Sequence, residues 1–579
     1  MPDRIVYLED VTQLAGDGVT DDTMAFYSAI MGASSGDWIK GKKGAEYRLA
    51  SVGSLAEAGI PLNKVKLDLN GATASFEQTS SMAYGFRMLN DGWLWGEGRA
   101  RTTISQNASP QRIAHSPVTV GCGYGCDGPI GAPNPYVSTR GWKIGGGIKV
   151  ETVKPDGSLI GCHGEFEDYF IEDVYFPDSA YAGLGIAMDW LPRGLVVPED
   201  TPTSLRTKFN NGTFYTLHPG AGEINRIHAG LMSYTGNAAQ DDGFALVRLS
   251  AAHHTSVKKI SAKRATSLFK NVGGDFGFEF APAGMKPNAG KGIHVSGGRL
   301  ENQVGVSGIY NAIYADSLAD NILADVQLHG YEPLMDPIGN SGIIIENIFS
   351  RTATALNSGF RVRSIRDAKL INCSSFGNLH SVSIEDAAYK VEVIGGVHES
   401  TSSHGIFIDG TSQPEDCVIR GALCSLNVGA GIYADRAKRP ILIENTIGRQ
   451  NVTETATWGL RATDDCTGYR IQNNRIFGCT GPAVSCGSTE TVGVGGVISD
   501  NYVAPGLVRY GGSAIVLVME TVLPGLNGRL FFAQYGSVTA SGPVNGSGNF
   551  QTGDLIFVMN APSGPKQLLK SGASWVVLS

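Results

Sequence analysis

The chain has 579 residues, of which 42% are hydrophobic and 17% charged, and its formal net charge at pH 7 is −8. This charge argues against nucleic acids and anionic membranes as partners. No apolar run approaches the roughly 18 residues that a membrane-spanning helix needs. Glycine is abundant, at 77 residues, but lacks the three-residue period of collagen, which indicates many tight turns between short strands.

The N-terminus and the cysteines bear on compartment and cofactors. Met1-Pro-Asp-Arg-Ile lacks the charged-then-apolar layout of a secretory signal, so we expect synthesis in a cytoplasm. The nine cysteines form no regular framework, which favours reduced thiols. Cys122 and Cys126 are a close pair, but no histidine or second cysteine pair completes a ligand set. We therefore predict no metal site and no cofactor.

Residues 1–110 are predicted to form an N-terminal cap and the first coils. Thr20 or Asp21 can cap a helix over about 21–33, and Gly32 is placed to end it. The apolar spacing gives this helix one buried stripe, made of Met24, Ala25, Phe26, Ala29 and Ile30. Strand-like segments follow around Tyr47, Val65 and Trp93.

The run Gly16-Asp-Gly-Val-Thr-Asp-Asp-Thr23, followed by this helix and by Tyr47-Arg48 in a strand, resembles the entry of the pectate-lyase superfamily. Within it, the chain is most similar to phage tailspike and capsule-depolymerase proteins. The lead-in Asp10-Val-Thr-Gln-Leu-Ala15 departs from the family pattern. The resemblance implies an all-β, right-handed, single-stranded parallel β-helix whose N-terminal helix caps the open end, assembled as a homotrimer.

Residues 111–504 are predicted to be the β-helix, with irregular insertions at about 111–165 and 191–222. Both insertions are rich in glycine or proline, and loops this long are usually functional or disordered. From about 171 to 503 an apolar pattern recurs roughly every 25 residues, which is typical of a solenoid. Each repeat divides into three short strands separated by Gly, Asn or Asp turns, which favours stacked parallel sheets over a propeller with hairpins.

The composition changes after about 505. Apolar segments that begin at Ser513, Arg529 and Asp554 alternate with Gly, Pro and Ser turns, which predicts a small antiparallel β domain over 505–579. The resemblance implies that this domain caps the rod, supports trimerisation or binds carbohydrate. Capping alone is a sufficient reason for it, because solenoids need atypical ends.

Outward side chains of the third strand are expected to line up from one repeat to the next, because alternate strand residues share a face. The predicted column is Ala245, Glu279, Tyr314, Arg361 with Arg363, Ser383 with Glu385, Phe407, Tyr433 and Arg461. Arginine forks bind carboxylate and hydroxyl oxygens, and carboxylates perform acid–base chemistry. An oligosaccharide groove needs such groups, although a solvated face with scattered aromatics is an equally good reading.

The second strand predicts a neighbouring column, made of Tyr175, His228, Ser261, Arg299 with Glu301, Gln327 with His329, Phe349 and His398. We predict Glu279 and Glu301 as a catalytic carboxylate pair, with Asp275 and Asp242 as competing partners. The predicted substrate-binding residues are Tyr314, Arg361, Arg363, Arg299, His329 and Tyr433. Carboxyls about 5 Å apart would suit a retaining glycosidase, and pairs at roughly 6.5–9.5 Å an inverting one.

The function predicted from the resemblance is an endo-acting polysaccharide depolymerase. It would hydrolyse glycosidic bonds of a bacterial capsule, exopolysaccharide or O-antigen from the tail of a virion. Its partners would be the polysaccharide, two further copies of the chain and a tail or adaptor protein. Two alternatives stay open at this point: a polysaccharide lyase or epimerase on the same fold, and a glycan-binding spike or adhesin without catalysis.

Overall fold

The computed structural model shows a chain built almost entirely of short strands, which pair in parallel from one coil to the next. The structure describes residues 4–11, 13–55, 59–77, 85–98, 101–106, 117–121, 138–152, 158–163, 165–178, 184–189, 191–192, 216–217, 220–231, 245–250, 252, 254–265, 267–272, 292–303, 313–315, 342–351, 358–363, 365–450, 455–463, 465–480, 482–486, 497–504, 507–510, 513–515, 521–522, 529–534, 538–539, 542–543, 555–559, 567–571 and 574–577.

The chain divides into two compact units, Met1–Ile344 (unit 1) and Ile345–Ser579 (unit 2). In each unit a coil, here called a rung, contributes up to three strands, as the sequence predicts. The predicted domain boundaries at 110 and 504 stay a prediction.

Unit 2 shows the three-strand rung most regularly. The strand Ile344–Arg351, which starts at the last residue of unit 1, runs through the first and second positions. The first strands are Lys369–Ile371, Glu392–Ile394, Val418–Arg420, Ile441–Ile443, Arg470–Gln472 and Val497–Ser499. The second strands are Ser374–Phe376, Val397–Glu399, Leu423–Ser425, Thr446–Ile447, Arg475–Phe477 and Tyr502–Ala504. The third strands are Phe360–Arg363, Val382–Glu385, Ile406–Asp409, Ala430–Ala434, Trp458–Ala462, Pro482–Cys486 and Leu507–Tyr510.

Unit 1 has the same order of positions, and several of its rungs merge the first two strands. The first strands are Ile5–Tyr7, Trp38–Lys40, Lys66–Asp68, Trp93–Trp95 and Lys143–Gly145. The second strands are Asp17–Asp21, Glu46–Leu49, Thr73–Phe76, Thr102–Gln106 and Ile148–Thr152. The merged strands are Tyr169–Phe176, Gly222–Leu231, Thr255–Ala265 and His294–Gln303. The third strands are Ile60–Leu62, Phe86–Met88, Val118–Gly121, Ser158–His163, Leu184–Asp189, Ala245–Ser250, Phe269–Val272 and Ile313–Ala315. Two small pairs lie apart from these, Ser138–Arg140 with Glu165–Glu167 and Leu191–Pro192 with Thr216–Leu217.

The predicted N-terminal helix spans Thr23–Met31 and ends at Gly32. Asp22, and not the predicted Thr20 or Asp21, is the N-cap residue, and its buried carboxylate accepts hydrogen bonds from the backbone N–H groups of Ala15 and Gly16. Phe26 is fully buried and contacts the rings of Tyr47 and Phe86, so the helix is fixed to the apolar interior of the first coils. Met24 is the exception to the predicted stripe, since 58% of it is exposed. Short 3-10 turns occur at Leu8–Asp10 and Val52–Ser54.

Stacked amides hold the turns between the first and second strands of unit 2. Asn445 donates to the side-chain oxygen of Asn474 at 3.0 Å, and Asn474 donates to that of Asn501 at 2.9 Å. Asn445 and Asn474 are fully buried. The residue before each ladder asparagine (Glu444, Asn473 and Asp500) has a φ of 54–58°, which turns the chain sharply enough to bring the next strand into the rung. These positions explain the Asn and Asp pattern of the repeat.

The end of the chain forms a separate small sheet. Its strands are Thr521–Val522, Arg529–Gln534, Leu555–Met559, Gln567–Ser571 and Ser574–Val577. Three of its pairings are antiparallel, as predicted, and the fourth, between Arg529–Gln534 and Leu555–Met559, is parallel. Two hairpin strands, Val538–Thr539 and Gly542–Pro543, pair with each other, and Ser513–Ile515 pairs antiparallel with Leu507–Tyr510. Among the described residues, no helix has the length and apolar character to span a bilayer.

Candidate functional site

The third strands of unit 2 carry a continuous outward column. Arg361 is paired in register with Ser383, Ser383 with Phe407, Phe407 with Tyr433, and Tyr433 with Arg461. The inward neighbours of these residues, such as Ile384, Ile408 and Ile432, are fully buried. Strand alternation therefore places these five side chains in one column as the sequence predicts, although Ser383 is fully buried in it.

Aromatic side chains on three successive rungs stack on one another beside this column. His380 stacks on Phe407 with ring centroids 4.7 Å apart, and His404 stacks on Tyr433 at 4.5 Å. His380 and His404 lie 5.4 Å apart, and Phe407 and Tyr433 lie 5.7 Å apart. The planes of these stacked rings differ by 6–20°. With Trp458 and Arg461 this set is called the aromatic array below.

The two histidines are oriented by backbone groups. The N–H of His404 donates to Nδ1 of His380 at 3.3 Å, and the N–H of Ala430 donates to Nδ1 of His404 at 2.9 Å. Because Nδ1 accepts in both rings, the proton of each neutral imidazole lies on Nε2. Burial lowers the pKa of each histidine to about 4, and the neighbouring His380 and Arg461 add to the effect at His404. At neutral pH the array therefore presents two N–H donors and no basic imidazole nitrogen.

Arg461 closes one end of the array. Its guanidinium carbon lies 5.1 Å from the centroid of the Tyr433 ring and 4.2 Å from that of Trp458. Cation–π contacts of this kind hold a guanidinium in one orientation while its N–H groups stay able to donate. Burial, chiefly, raises the pKa of Tyr433, so its hydroxyl stays protonated in the neutral range.

A carboxylate and a guanidinium lie beyond the other end. Nε and Nη2 of Arg361 donate to the same oxygen of Glu385, at 2.9 and 2.6 Å. The hydroxyl of Ser383 donates to the other oxygen of Glu385. Glu385 keeps 24% of its side chain exposed. The site therefore holds a fixed, accessible carboxylate within the predicted column.

A second carboxylate stands directly beside Glu385 on the next rung. Asp409 is the register partner of Glu385, and Arg436 donates to its two oxygens, both at 2.8 Å. Neighbouring strands of a sheet lie about 4.8 Å apart. Glu385 and Asp409 thus form a pair of carboxylates that face the same side, each oriented by its own arginine.

The structure places some of the other predicted site residues, and the rest lie outside the described part of the chain. Arg363 is bound to Asp386 and paired in register with Glu385. Arg299 is exposed and continues the register of Tyr175, His228 and Ser261, which confirms that part of the second-strand column. Tyr314 is paired in register with Lys270. Nothing is described of the side chains of Tyr314 and Glu301, and Glu279, Asp275, Asp242 and His329 lie outside the described residues.

Three details of the predicted columns are wrong. Phe269–Val272, and not a segment around residue 279, supplies the third strand that pairs with both Ala245–Ser250 and Ile313–Ala315. Ala245 is buried, because its strand places Arg248, and not Ala245, in register with Lys270 and so with Tyr314. His398 is also fully buried, since its register partner is Ser375 and not an outward residue.

The sequence prediction missed His380, His404 and Trp458. The two histidines occupy turns just before the third strands Val382–Glu385 and Ile406–Asp409, so strand alternation says nothing about them. One signal was available: each histidine lies two residues before the strand in its own repeat. Trp458 is the first residue of Trp458–Ala462 and reaches the array through Arg461.

Comparisons with known proteins agree on the fold. No protein-family model matches the chain, and no curated protein does. The chain is similar to the tailspike protein of E. coli bacteriophage HK620 in complex with pentasaccharide, at 12% identity and a TM-score of 0.51, over 98% of this chain and 89% of that one. A double mutant of the same tailspike with pentasaccharide gives a TM-score of 0.52, also at 12% identity, over 98% and 89% of the two chains.

Two further structures are more distant. Tailspike protein 3 of bacteriophage CBA120 has a TM-score of 0.39 at 11% identity, over 99% of this chain and 69% of that one. The A-module of the mannuronan C-5 epimerase of Azotobacter vinelandii has a TM-score of 0.27 at 11% identity, over 86% and 94%. With the parallel register described above, the likeness to the HK620 tailspike defines this chain as a right-handed parallel β-helix protein.

Proposed function

We propose that this protein is a tailspike-like depolymerase, which binds a bacterial surface polysaccharide along the aromatic array and hydrolyses its glycosidic bonds. The observation that carries the proposal is the array itself, where outward aromatic rings and guanidinium groups replace the small polar residues of an ordinary solvent face. The HK620 tailspike, which has the same fold, was solved with a pentasaccharide bound.

The array offers the contacts that a sugar chain requires. The Nε2–H groups of His380 and His404 and the hydroxyl of Tyr433 can donate to sugar oxygens. Trp458 and the outer edges of Phe407 and Tyr433 supply apolar surface for the C–H face of a sugar ring. Arg461 adds a planar fork for a carboxylate or for paired hydroxyls. Successive rungs repeat these groups along one direction, as the residues of a linear polymer repeat.

Glu385 and Asp409 are the carboxylate pair that we propose for hydrolysis. Their strands are neighbours, and the spacing of about 4.8 Å between strands is close to the roughly 5–5.5 Å between the carboxyls of retaining glycosidases. Arg361 and Arg436 would orient the two groups. One would attack the anomeric carbon as a carboxylate, while the other, in its protonated form, would give its proton to the leaving glycosidic oxygen. Glu279 and Glu301 stay a competing prediction for the same role.

The protonation of the histidines favours hydrolysis over a lyase or epimerase reaction at this site. Those reactions remove a proton from sugar carbon, and among the side chains of the array only a free imidazole nitrogen or a phenolate could accept it. In the array both Nδ1 atoms are occupied by backbone N–H donors, and the raised pKa of Tyr433 opposes a phenolate. The array therefore acts as a set of donors.

The test is to incubate the full chain with a panel of purified capsular polysaccharides and O-antigens. Hydrolysis produces reducing ends without the ultraviolet absorbance of an unsaturated sugar, whereas a lyase produces both. We expect Glu385→Gln and Asp409→Asn each to lower the cleavage rate by at least about a hundredfold. Glu392→Gln, a matched change at a carboxylate paired with Lys369 on a first strand, should leave it unchanged.

Two results would contradict this proposal, the first in its catalytic residues and the second in its activity. Full cleavage by both variants would remove Glu385 and Asp409 from the mechanism and return the question to Glu279 and Glu301. Binding of polysaccharide without any cleavage would make the protein an adhesin. We also propose, from the tailspike fold, a homotrimer carried on a virion tail, which mass measurement in solution and electron microscopy of the particle would test.

A further inference from the structure

The first strands of unit 1 carry a second outward ladder, in which tryptophan and lysine alternate. Trp38 is paired in register with Lys66, Lys66 with Trp93, and Trp93 with Lys143. All four side chains are half-buried. Parallel stacking brings these residues together although Trp38 and Lys143 are 105 positions apart in the chain.

Cation–π contacts hold the lysines of this ladder over the indole rings. The Nζ atom of Lys66 lies 5.5 Å from the centroid of Trp38 and 5.0 Å from that of Trp93. Nζ of Lys143 lies 4.3 Å from the centroid of Trp93. The two indoles are 5.7 Å apart and perpendicular, with an interplanar angle of 89°. The ammonium groups are thus placed at fixed positions, two strands apart, which is about 10 Å.

Three residues of the ladder, Lys66, Trp93 and Lys143, line a cleft of about 510 Å³. The residues that line this cleft, called the Trp–Lys cleft below, are Ser35, Gly36, Lys64, Lys66, Asp91, Trp93, Gly141, Lys143 and Asp168. Its volume lies within the roughly 300–1,000 Å³ of small-ligand sites. Three lysines outnumber two aspartates in it, although the whole chain is acidic.

We propose that the Trp–Lys cleft is a second glycan-binding site, which recognises a sugar that carries a carboxylate. Lys66 and Lys143 each bind a carboxylate of the glycan, because they lie two strands apart, and Lys64 lies at the same opening. Asp91 and Asp168 accept hydrogen bonds from sugar hydroxyl groups, which supply donors that a simple anion such as phosphate lacks. The exposed part of Trp93 contacts the apolar face of the sugar ring.

The inference rests on the proposed function in taking the anionic group to be part of a polysaccharide. A subunit contact is the other use of such a face. Lysine is depleted at the cores of protein–protein interfaces, and three lysines line this concave surface. The cleft therefore suits a small acidic ligand better than the surface of another copy. It would hold an acidic polymer at a second point and so raise avidity without adding a reaction.

The experiment is calorimetric titration of the full chain with defined oligouronates, namely oligogalacturonate, oligomannuronate and oligoglucuronate. Each is compared with its carboxyl-reduced form. We expect at least one oligouronate to bind, its reduced form to bind at least tenfold more weakly, and its affinity to fall as sodium chloride is added. Lys66→Met with Lys143→Met should weaken binding at least tenfold, and so should Trp93→Leu.

Two controls separate this site from the rest of the molecule. Lys43→Met, at an exposed lysine of unit 1 outside the cleft, should leave binding unchanged. Tyr433→Leu, in the aromatic array, should impair binding and cleavage of the cognate polysaccharide while oligouronate binding persists, so failure of the proposed function and failure of this inference give different results.

Three results would overturn the inference. The first is that no oligouronate binds, and the second is that oligouronates and their reduced forms bind alike. The third is that the double lysine variant binds as the unaltered chain does. If that variant instead loses a higher oligomer in light scattering and keeps its affinity for oligouronates, the face is a contact between copies.

Discussion

The two outward ladders differ in what one rung places against the next. In unit 2, rings of His380, His404, Phe407 and Tyr433 lie nearly parallel on one another, and arginines occur at the ends. In unit 1, Trp38, Lys66, Trp93 and Lys143 alternate ring with cation, and the two indoles are perpendicular. The same parallel stacking therefore produces a surface of hydrogen-bond donors in one unit and a cationic cleft in the other.

This difference shows that, in a β-helix, the order of residue types at one position of successive rungs determines the chemical character of the surface. When aromatic residues recur at the same position of successive rungs, their rings stack face to face and only the ring edges stay exposed. When an aromatic residue and a lysine alternate at the same position of successive rungs, the positive charges are separated by about two strand spacings. We therefore expect the loss of a ring from the centre of the array to lower stability more than the loss of a ring that has a single described ring contact.

The largest expected effect on stability comes from the centre of the array. Phe407→Ala removes ring contacts to His380, His404 and Tyr433, and we expect it to lower the free energy of unfolding by about 2–3 kcal/mol. Phe477→Ala, at a half-buried ring whose one described ring contact is Tyr502, should cost about 1 kcal/mol. Denaturant midpoints of the two variants give the comparison, and equal losses would contradict the stacked arrangement.

Acidification should destabilise unit 2 through its buried histidines. Burial lowers the pKa of His398 to about 4, below the 6.5 of an exposed histidine, so the unfolded chain binds the extra proton between these values. Stability is therefore full above pH 6.5 and falls as the pH drops toward 4, by about 2 kcal/mol at pH 5 from His398 alone. His380 and His404 add in the same direction.

The pH effect is checked by measuring the melting temperature from pH 7.5 to pH 5. His398→Leu should flatten this dependence, whereas His254→Leu, at an exposed histidine of unit 1, should leave the slope as it is. An unchanged slope in His398→Leu would show that other groups cause the acid sensitivity.

The smallest effect concerns a single donor of the array. Tyr433→Phe keeps the ring stacked on His404 and removes the hydroxyl, so we expect the affinity for an oligosaccharide of the cleaved polymer to fall about fivefold, with little change in melting temperature. Calorimetric titration measures it. Equal affinity in the variant would show that the hydroxyl does not contact the sugar.

The positions of outward side chains within strands could be predicted from the sequence, because alternate residues of a strand share a face. Arg361, Ser383, Phe407, Tyr433 and Arg461 lie in one column because apolar residues flank each of them. The helix Thr23–Met31 was predictable from its apolar spacing and its terminal glycine, although its N-cap is Asp22 and not the predicted Thr20 or Asp21.

Alternation fails where a turn sets the position of a side chain. His380 and His404 precede their strands, and the third strand at Phe269–Val272 begins earlier than its apolar pattern suggests. His398 was also misplaced: it follows the turn at Gly395 and Gly396, both with positive φ, and its register partner Ser375 is buried. The Trp–Lys cleft was missed because the predicted columns followed the second and third strands, whereas Lys66, Trp93 and Lys143 lie in first strands.

The most direct test of the account is a crystal structure of Glu385→Gln with an oligosaccharide prepared from the polysaccharide that the unaltered chain cleaves. We predict sugar density along the third-strand face of unit 2, with sugar oxygens within hydrogen-bond distance of Nε2 of His404 and of the Arg461 guanidinium. Its reacting bond would lie beside residue 385 and Asp409. Sugar bound along the second strands, with the aromatic array unoccupied, would contradict the account.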